Sequence, residues 1–377
     1  MSGAYPAGAP AGDLLYLYGR VLSHFVAAAL SLYAFEQPLP AVAPARAAGR
    51  RLTVRQAVGQ HMIFAYDGLR PPAALRRRIA RGEGAGVILF SRNVRSVAQV
   101  RATVRSLQAI PRPRGLRAPL IVMADQEGGP VRRIPGAPRR AAAGVRSAAQ
   151  ARADGAAAGA NLRRAGVNLD LAPVADVGRR GSALEREQRT YGRSPQVVAR
   201  RARAFAAGLK ERGVVATAKH FPGFGAARRN TDDAPQRIGL PLETLRAVDA
   251  KPFEQLVEHG IGAVMLSTAV YPALDERPAA LSARWIRGEL RRRLGFRGVT
   301  ISDDLGTPAV AALGSNADLA VMAVDAGTDL PLFAASYRAG AQAAEGLLAA
   351  ARIGRLDPRV LRETARRVLR LRAKLAR

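Results

Sequence analysis

Eight short apolar runs, separated by longer stretches of helical character, constrain the fold of this chain more than any other feature of its sequence. The runs are rich in Val, Ile and Leu, and each interval is long enough for a helix, which is typical of repeated strand–helix units. Eight such units in 377 residues favour an α/β fold with one (β/α)8 TIM-type barrel over an open doubly wound sheet. The runs are MIFAYD (62–67), GVILFSRN (86–93), LIVMADQE (120–127), NLDLAP (168–173), VVATAKH (214–220), AVMLST (263–268), GVTISDD (298–304) and GTDLPLF (327–333).

The same pattern predicts how the chain is organised. Residues 51–377 are expected to form the barrel, and residues 1–50 a separate N-terminal segment with an Ala/Pro-rich linker. A helical period is clear in four intervals, at 147–165, 195–212, 241–259 and 357–376. No Gly-x-Gly-x-x-Gly sequence follows the first run, which weakens the alternative of a dinucleotide-binding sheet.

The N-terminal segment contains an apolar stretch, VLSHFVAAALSLYAF at 21–35, that is too short for an ordinary membrane span. It follows a single arginine and precedes Ala-x-Ala patterns, as in a secretory signal peptide. An uncleaved membrane anchor and an additional packing helix remain open alternatives. We expect an extracytoplasmic location, secreted or anchored, with a cytoplasmic one as the alternative.

The composition argues against several classes of partner and cofactor. The net charge is +30, but only four of the 59 basic residues are Lys, and the Arg residues are spread along the chain. Aromatic residues make up only 5% of the chain, and no nucleic-acid recognition motif is present. The excess of Arg is therefore better explained by a GC-rich coding bias, with loose attraction to anionic cell-surface polymers, than by specific nucleic-acid binding. The absence of Cys and the scatter of four His predict no metal site and no cofactor.

Polar residues follow six of the eight apolar runs at the point where each predicted strand ends. The carboxyl ends of barrel strands converge on one face, where active sites of this fold lie. One polar strand end is commonly a turn or a cap, but six in the same position indicate a functional face. They are Asp67, Arg92 and Asn93, Asp125, Lys219 and His220, Ser267, and Asp303 and Asp304.

Within GVTISDDLG, adjacent carboxylates follow Ser302 at the end of a strand. Because side chains alternate along a strand, only one of the two can project into a pocket at the barrel mouth. We predict that Asp303 projects there, as a nucleophile or as a partner for a cationic transition state, and that Asp304 caps the next helix. Ser302 is assigned a supporting role beneath the site.

The other polar strand ends suit a sugar. Asp125 offers a carboxylate to hydroxyl groups, while Arg189, Lys219 and His220 offer donors. In the absence of a phosphate-binding loop or a cofactor fingerprint, this mixture of acceptors and donors indicates a carbohydrate substrate.

These stretches resemble glycoside hydrolase family 3, specifically its single-domain β-N-acetylhexosaminidase branch. The resemblance rests on GVILFSRN, LIVMADQEGG, NLDLAPVADV, QRTYGRSP, AKHFPGFG, AVMLST and FRGVTISDDLG, in the order of the family. It implies a retaining exo-glycosidase that removes terminal β-linked N-acetylglucosamine from cell-wall or chitin-type fragments, in peptidoglycan recycling for example. It also implies Asp303 as the nucleophile, a sugar site of Asp125, Arg189, Lys219 and His220, and no C-terminal domain.

The chain departs from the family at its general acid/base. The branch carries an Asp-x-His dyad in the loop after KHFPG, where this chain has Asn230-Thr231-Asp232, and Phe224 stands where a first His is usual. The usual Arg after the glycines of DQEGG is Pro130, so that Arg132 or Arg133 is expected to reach the same region; Thr268 replaces the His that often ends that strand.

Asp232 occupies the acid/base position, and carboxylic acids serve this role in most glycosidases. Arg228 and Arg229 are close in sequence and predict a lowered pKa for Asp232, which disfavours the acid. Two alternatives therefore stay open: a weakened or inactive barrel that binds glycans, and a β-glucosidase or β-xylosidase of the same family.

Overall fold

The computed structural model describes residues 52–375, so the predictions for residues 1–50 lie outside the described part of the chain. The predicted barrel is confirmed: eight parallel strands close into a ring in which β8 pairs with β1. Each strand arises from one of the eight apolar runs. The strands are β1 (Ile63–Phe64), β2 (Gly86–Ile88), β3 (Ile121–Ala124), β4 (Leu169–Asp170), β5 (Val215–Phe221), β6 (Ala263–Leu266), β7 (Val299–Asp304) and β8 (Leu330–Phe333).

Helices fill the intervals between the strands and surround the ring. Ser147 and Ser194 cap two of the predicted helices. The helix predicted at 241–259 is interrupted by a π-helical segment, Leu245–Asp249. A second π-helical segment covers Arg284–Arg293. The α-helices are α1 (Val54–Gly59), α2 (Ala73–Ala80), α3 (Val97–Gln108), α4 (Ala148–Ala165), α5 (Ala183–Arg186), α6 (Pro195–Glu211), α7 (Leu242–Thr244), α8 (Lys251–Glu258), α9 (Asn316–Ala326), α10 (Tyr337–Arg352) and α11 (Pro358–Lys374). No helix in residues 52–375 has the length and apolar character of a membrane span.

The barrel interior is filled by alternate residues of the strands, as the period of two requires. Ile121 and Met123 of β3, and Val299 and Ile301 of β7, lie in one buried apolar cluster with their counterparts on other strands. The intervening residues of these strands pack outward against the helices. The next inward position on each of the two strands is polar, which makes one end of the barrel a candidate site.

Helix α11 closes the other end. Its Val368 and Leu371 belong to the apolar cluster of the barrel interior. Arg372, fully buried, donates to the carbonyls of Leu116 (3.0 Å) and Ala118 (2.7 Å), just before β3 begins. The basic composition of residues 357–376 predicts an outer barrel helix with a solvated face. The solvated face is confirmed, since Arg362, Arg366 and Arg370 are exposed, but the opposite face of α11 lies across the amino ends of the strands and seals the interior.

A buried carboxylate holds this sealed end together. Asp329 is fully buried and accepts hydrogen bonds from Arg291 Nη2 (2.7 Å), Arg367 Nε of α11 (2.8 Å) and the backbone N–H of Thr300 (2.9 Å). Its own carbonyl lies 2.8 Å from Nδ1 of the buried His61, before β1. One side chain thus connects β7, β8 and α11.

Replacing Asp329 is expected to leave the guanidinium group of Arg291 without its buried counter-charge and that of Arg367 with only the exposed Glu363. We predict that Asp329→Ala lowers the free energy of unfolding by about 3–5 kcal/mol, the usual cost of breaking a buried ion pair. Urea denaturation followed by circular dichroism measures the change. Glu276→Ala, which breaks the exposed pair with Arg237, is the control and should cost about 1 kcal/mol or less; equal losses in the two variants would contradict the prediction.

Candidate active site

Three polar side chains occupy the inward positions at the carboxyl ends of their strands. Asp125 follows Met123 of β3 in the inward series, Lys219 ends the series on β5, and Asp303 follows Ile301 on β7. Alternation thus turns Asp303 towards the barrel mouth, and it is half-buried there.

Lys219 is the centre of a buried charge network. Its Nζ lies 2.7 Å from both Asp125 Oδ1 and Glu127 Oε1. Arg189 binds the same Glu127 through two hydrogen bonds (3.0 and 2.8 Å) and reaches Glu187 at 2.9 Å. Sequence reasoning missed Glu127; its position two residues after Asp125, on the same side of an extended chain, was the available signal.

The network fixes the charge of its carboxylates. Burial acts to raise the pKa of Glu127, but Arg189 and Lys219 outweigh it and lower the pKa to about 2. In the same way, burial of Asp125 is outweighed by Lys219 and Arg133, and its pKa is lowered. Asp125 is therefore an ionised acceptor at the mouth of the barrel.

His220 is held in one orientation by a carboxylate that sequence reasoning also missed. The fully buried Asp176 accepts from the His220 backbone N–H (3.1 Å) and lies 2.7 Å from its Nδ1. Asp176 Oδ1 also accepts from the backbone N–H of Phe224 at 2.6 Å. With Nδ1 occupied, Nε2 is the ring nitrogen left for a ligand. Asp176 ends the conspicuous stretch NLDLAPVAD, where its position after β4 was the available signal.

The remaining residues at the end of β7 are structural. Ser302 is fully buried, and its Oγ accepts from the backbone N–H of Leu332 (2.8 Å), which ties β7 to β8. Asp304 accepts from the backbone N–H groups of Gly306 (2.8 Å) and Ala334 (2.9 Å). The prediction that Asp304 caps the next helix is wrong, because Ser315 caps α9. Burial raises the pKa of Asp304 to about 6.

Asp232 lies on the loop after β5, and its electrostatics differ from the prediction. Desolvation by the surrounding protein, and then the charge of Asp303, raise its pKa, while His220 and Arg189 act in the opposite direction. Since the Asp232 side chain also remains exposed to solvent, this desolvation is partial, and the charge of Asp303 is the specific link between the two carboxyl groups. The expected lowering by Arg228 and Arg229 is wrong; both side chains are exposed.

The two arginines after the glycines of DQEGG have different partners. Arg133 Nε lies 3.5 Å from Asp125 Oδ2, with its guanidinium 5.9 Å from the centre of the Phe90 ring. Arg132 instead donates to the backbone carbonyls of Gly129 and Gly136. Of the two candidates, Arg133 therefore reaches the site.

Other predicted strand-end residues have local partners. Arg92 forms an ion pair with Asp67 (3.0 Å), and Asn93 donates to the carbonyl of Tyr66 (2.8 Å). Ser267 Oγ accepts from the backbone N–H of Ala269. Within residues 52–375, no three His, Asp or Glu side chains gather so as to hold a metal ion.

The chain resembles known proteins over almost the whole of the described barrel. Residues 53–371 match the family described as "Glycosyl hydrolase family 3 N terminal domain". An "uncharacterized secreted glycosyl hydrolase" of Arthroderma benhamiae is 35% identical over 84% of this chain and 93% of its own length. A "beta-hexosaminidase" of Xylella fastidiosa is 36% identical over 66% of this chain and 75% of its own.

Solved structures give the same result. A family 3 β-N-acetylglucosaminidase from Paenibacillus has a TM-score of 0.80 and 32% identity, over 86% of this chain. This chain spans 63% of that larger protein. A β-N-acetylhexosaminidase from Beutenbergia cavernae has a TM-score of 0.77 and 33% identity, over 85% of this chain and 98% of its own.

The charge network predicts a strong effect of Glu127→Gln. Removing this charge deprives Lys219 and Arg189 of their shared partner, and we expect a loss of about 3–5 kcal/mol of unfolding free energy at pH 7. The folded-state pKa of Glu127 is depressed, so its stabilisation is present at neutral pH and is lost as the pH falls from 4.5 to about 2. Urea denaturation between pH 7 and pH 3 measures both effects.

Glu187→Gln is the matched control, since Glu187 binds the same Arg189 but its side chain is 36% exposed. This variant should lose about 1 kcal/mol or less. A loss as large as that of Glu127→Gln would show that the network is not organised around Glu127.

Proposed function

The chain belongs to glycoside hydrolase family 3, and we propose that it is a retaining exo-β-N-acetylhexosaminidase in which Asp303 is the nucleophile and Asp232 the general acid/base. The observation that carries the proposal is electrostatic. Desolvation and then the negative charge of Asp303 raise the pKa of Asp232, so the two carboxyl groups are divided between two roles: Asp232 is shifted towards the acid, and Asp303 is the proposed nucleophile. A retaining glycosidase needs this division.

In the first half-reaction, a carboxylate oxygen of Asp303 attacks the anomeric carbon of the terminal sugar. The bond from that carbon to the glycosidic oxygen breaks, and Asp232 transfers its proton to the leaving oxygen. The product is a glycosyl ester on Asp303 and a free alcohol. The inward, half-buried position of Asp303 at the end of β7 supports this role.

In the second half-reaction, Asp232 is ionised and acts as the base. It takes a proton from a water molecule, whose oxygen attacks the anomeric carbon and displaces Asp303. The sugar leaves with the β configuration, and both carboxyl groups return to their initial states. The exposed position of Asp232 supports the exchange of leaving group for water.

The sugar itself would be held beside Asp303. Ionised Asp125 is suited to accept hydrogen bonds from two sugar hydroxyls, while Lys219, Arg189 and Nε2 of His220 supply donors. Glu127 and Asp176 would position these donors rather than touch the sugar. The 3.5 Å separation of Arg133 and Asp125 allows Arg133 to join them.

The preference for N-acetylglucosamine rests on the relatives. The Xylella protein is described as a β-hexosaminidase and the Paenibacillus structure as a β-N-acetylglucosaminidase. Cell-wall or chitin-type fragments with this terminal sugar are the proposed substrates. The secreted description of the Arthroderma relative supports an extracytoplasmic location, where such polymers are found.

Aryl β-N-acetylglucosaminides with good and poor leaving groups test the assignment of the two carboxyl groups. We expect Asp303→Asn to abolish turnover of both. Asp232→Asn should lower kcat/KM roughly 10²- to 10⁴-fold for the poor leaving group, because that group needs a proton, and much less for the good one. Turnover that survives Asp303→Asn would remove Asp303 as the nucleophile.

The raised pKa of Asp232 gives the pH profile a definite form. Asp232 must be protonated in the first half-reaction, so kcat/KM for the poor leaving group should fall as the pH rises through its pKa, which lies above the ordinary value of 3.8. Asp232→Asn should lack this alkaline limb. An unchanged limb in that variant would assign it to another group.

The same assays separate the alternatives. Turnover of aryl β-glucosides or β-xylosides in preference to the N-acetylated sugar would indicate those activities. A wild type that binds N-acetylglucosamine oligosaccharides without hydrolysis would be a glycan-binding barrel. In that case Asn230→Asp with Asp232→His, which rebuilds the dyad of the family, should create activity.

A further inference from the structure

We infer that Asn230 and Gln236 are positioning residues for Asp232, and that they build a preformed turn which replaces the Asp-x-His dyad of the family. The inference rests on the proposed role of Asp232. It assigns a function to two side chains that do not touch the reacting atoms.

Asn230 organises the turn from its start. Its side-chain Oδ1 accepts a hydrogen bond from the backbone N–H of Asp232 at 3.2 Å, which forms an Asx turn. Its own carbonyl accepts from the backbone N–H groups of Asp233 and Ala234, both at 3.2 Å. Three successive N–H groups thus point back to Asn230, and the one from Asp232 is held by the Asn230 side chain itself.

Gln236 closes the turn from its end. Its Oε1 accepts from the backbone N–H of Arg229 at 3.2 Å, and its Nε2 donates to the carbonyl of Pro235 at 2.7 Å. The side chain therefore joins Arg229, just before the segment 230–235, to Pro235 at the end of that segment. Asn230 fixes the interior of this segment and Gln236 fixes its ends.

The closed turn is attached to the rest of the barrel on both sides. On the far side, the backbone N–H of Val270 donates to the carbonyl of Gln236 (2.9 Å), and the N–H of Ile238 donates to the carbonyl of Val270 (2.8 Å). On the near side, the backbone N–H of Ala183 donates to the carbonyl of Ala227 at 2.9 Å. The short strand that carries Val270 follows β6, so that Asp232 is positioned by elements on both sides of its loop.

The chemistry of position 230 fits this arrangement. In an Asp-x-His dyad, the negative charge of the Asp stabilises the protonated imidazole. Beside a carboxylic acid the same charge would be a like charge and would raise its pKa further. An Asn keeps the oxygen that accepts the backbone N–H and removes the charge. Relative to the dyad of the family, Asn in place of Asp at position 230 therefore suits Asp in place of His at position 232.

Substitutions at position 230 separate the turn from the charge. Asn230→Ala removes the acceptor and should lower kcat/KM for the poor leaving group roughly 10- to 100-fold, because a displaced acid protonates the leaving oxygen less well. KM should change little, and kcat/KM for the good leaving group should stay within about twofold of the wild type, since that substrate needs little acid assistance. Its turnover also verifies that the variant is folded.

Two conservative variants provide the rescue. Asn230→Ser keeps a short-range acceptor and should retain most of the wild-type rate. Asn230→Asp keeps the acceptor and adds a charge, so it should retain the rate and move the alkaline limb of the pH profile to higher pH. Gln236→Ala should resemble Asn230→Ala with a smaller loss. Asn316→Ala, whose side chain bonds Gln342 on the outer helices, is the control and should behave as the wild type.

The results distinguish this inference from the proposed function. If Asp232→Asn shows no dependence on the leaving group, the acid/base assignment fails and the inference fails with it. If Asp232→Asn shows that dependence but Asn230→Ala and Gln236→Ala behave as the wild type, only the inference is overturned. It is also overturned if Asn230→Ser is as impaired as Asn230→Ala.

Discussion

Closure of the barrel is the constraint on which the rest of the structure depends. Once eight strands form a ring, every second side chain points into a space that only apolar groups can fill without a partner. Helix α11 seals the amino ends of the strands with Val368 and Leu371. The charged side chains of the inward series, Asp125, Lys219 and Asp303, lie instead at the carboxyl ends of their strands. The position of the candidate site follows from the geometry of the ring.

Charge balance governs what happens at that end. Lys219, Arg189 and Arg133 are cations in contact with Asp125, Glu127 and Glu187. Three positive and three negative groups leave this network close to neutral, although the whole chain carries +30. Asp303 and Asp232 stand outside these pairs, and the pKa of Asp232 is raised by desolvation and then by the charge of Asp303. Arg189 of the network acts to lower the pKa of Asp232, but it does not outweigh these two causes.

The sequence predicts the fold well because the spacing of apolar residues along the chain shows directly which faces of strands and helices are buried. All eight strands and the inward direction of Asp303 follow from it. The spacing of apolar residues does not show which polar side chains bind each other. Glu127 and Asp176 were missed for this reason, although each binds donors of the site. Proximity in sequence was also misleading: Arg228 and Arg229 precede Asp232, yet the carboxylate of Asp303, more than seventy positions away, affects its pKa more. The pKa of Asp232 depends on contacts between residues far apart in the sequence, and no local sequence pattern predicts such contacts.

The seal formed by α11 also bears on the order of folding during synthesis. The helix follows all eight strands along the chain, and its Arg367 and Arg372 bind groups near β8 and β3. Until residues 358–374 have left the ribosome, the amino end of the ring stays open to water, and the carboxylate of Asp329 lacks one of its two cations. The nascent barrel would therefore hold its strands in an incomplete state, exposed to chaperones and proteases, and complete its folding after α11 has emerged.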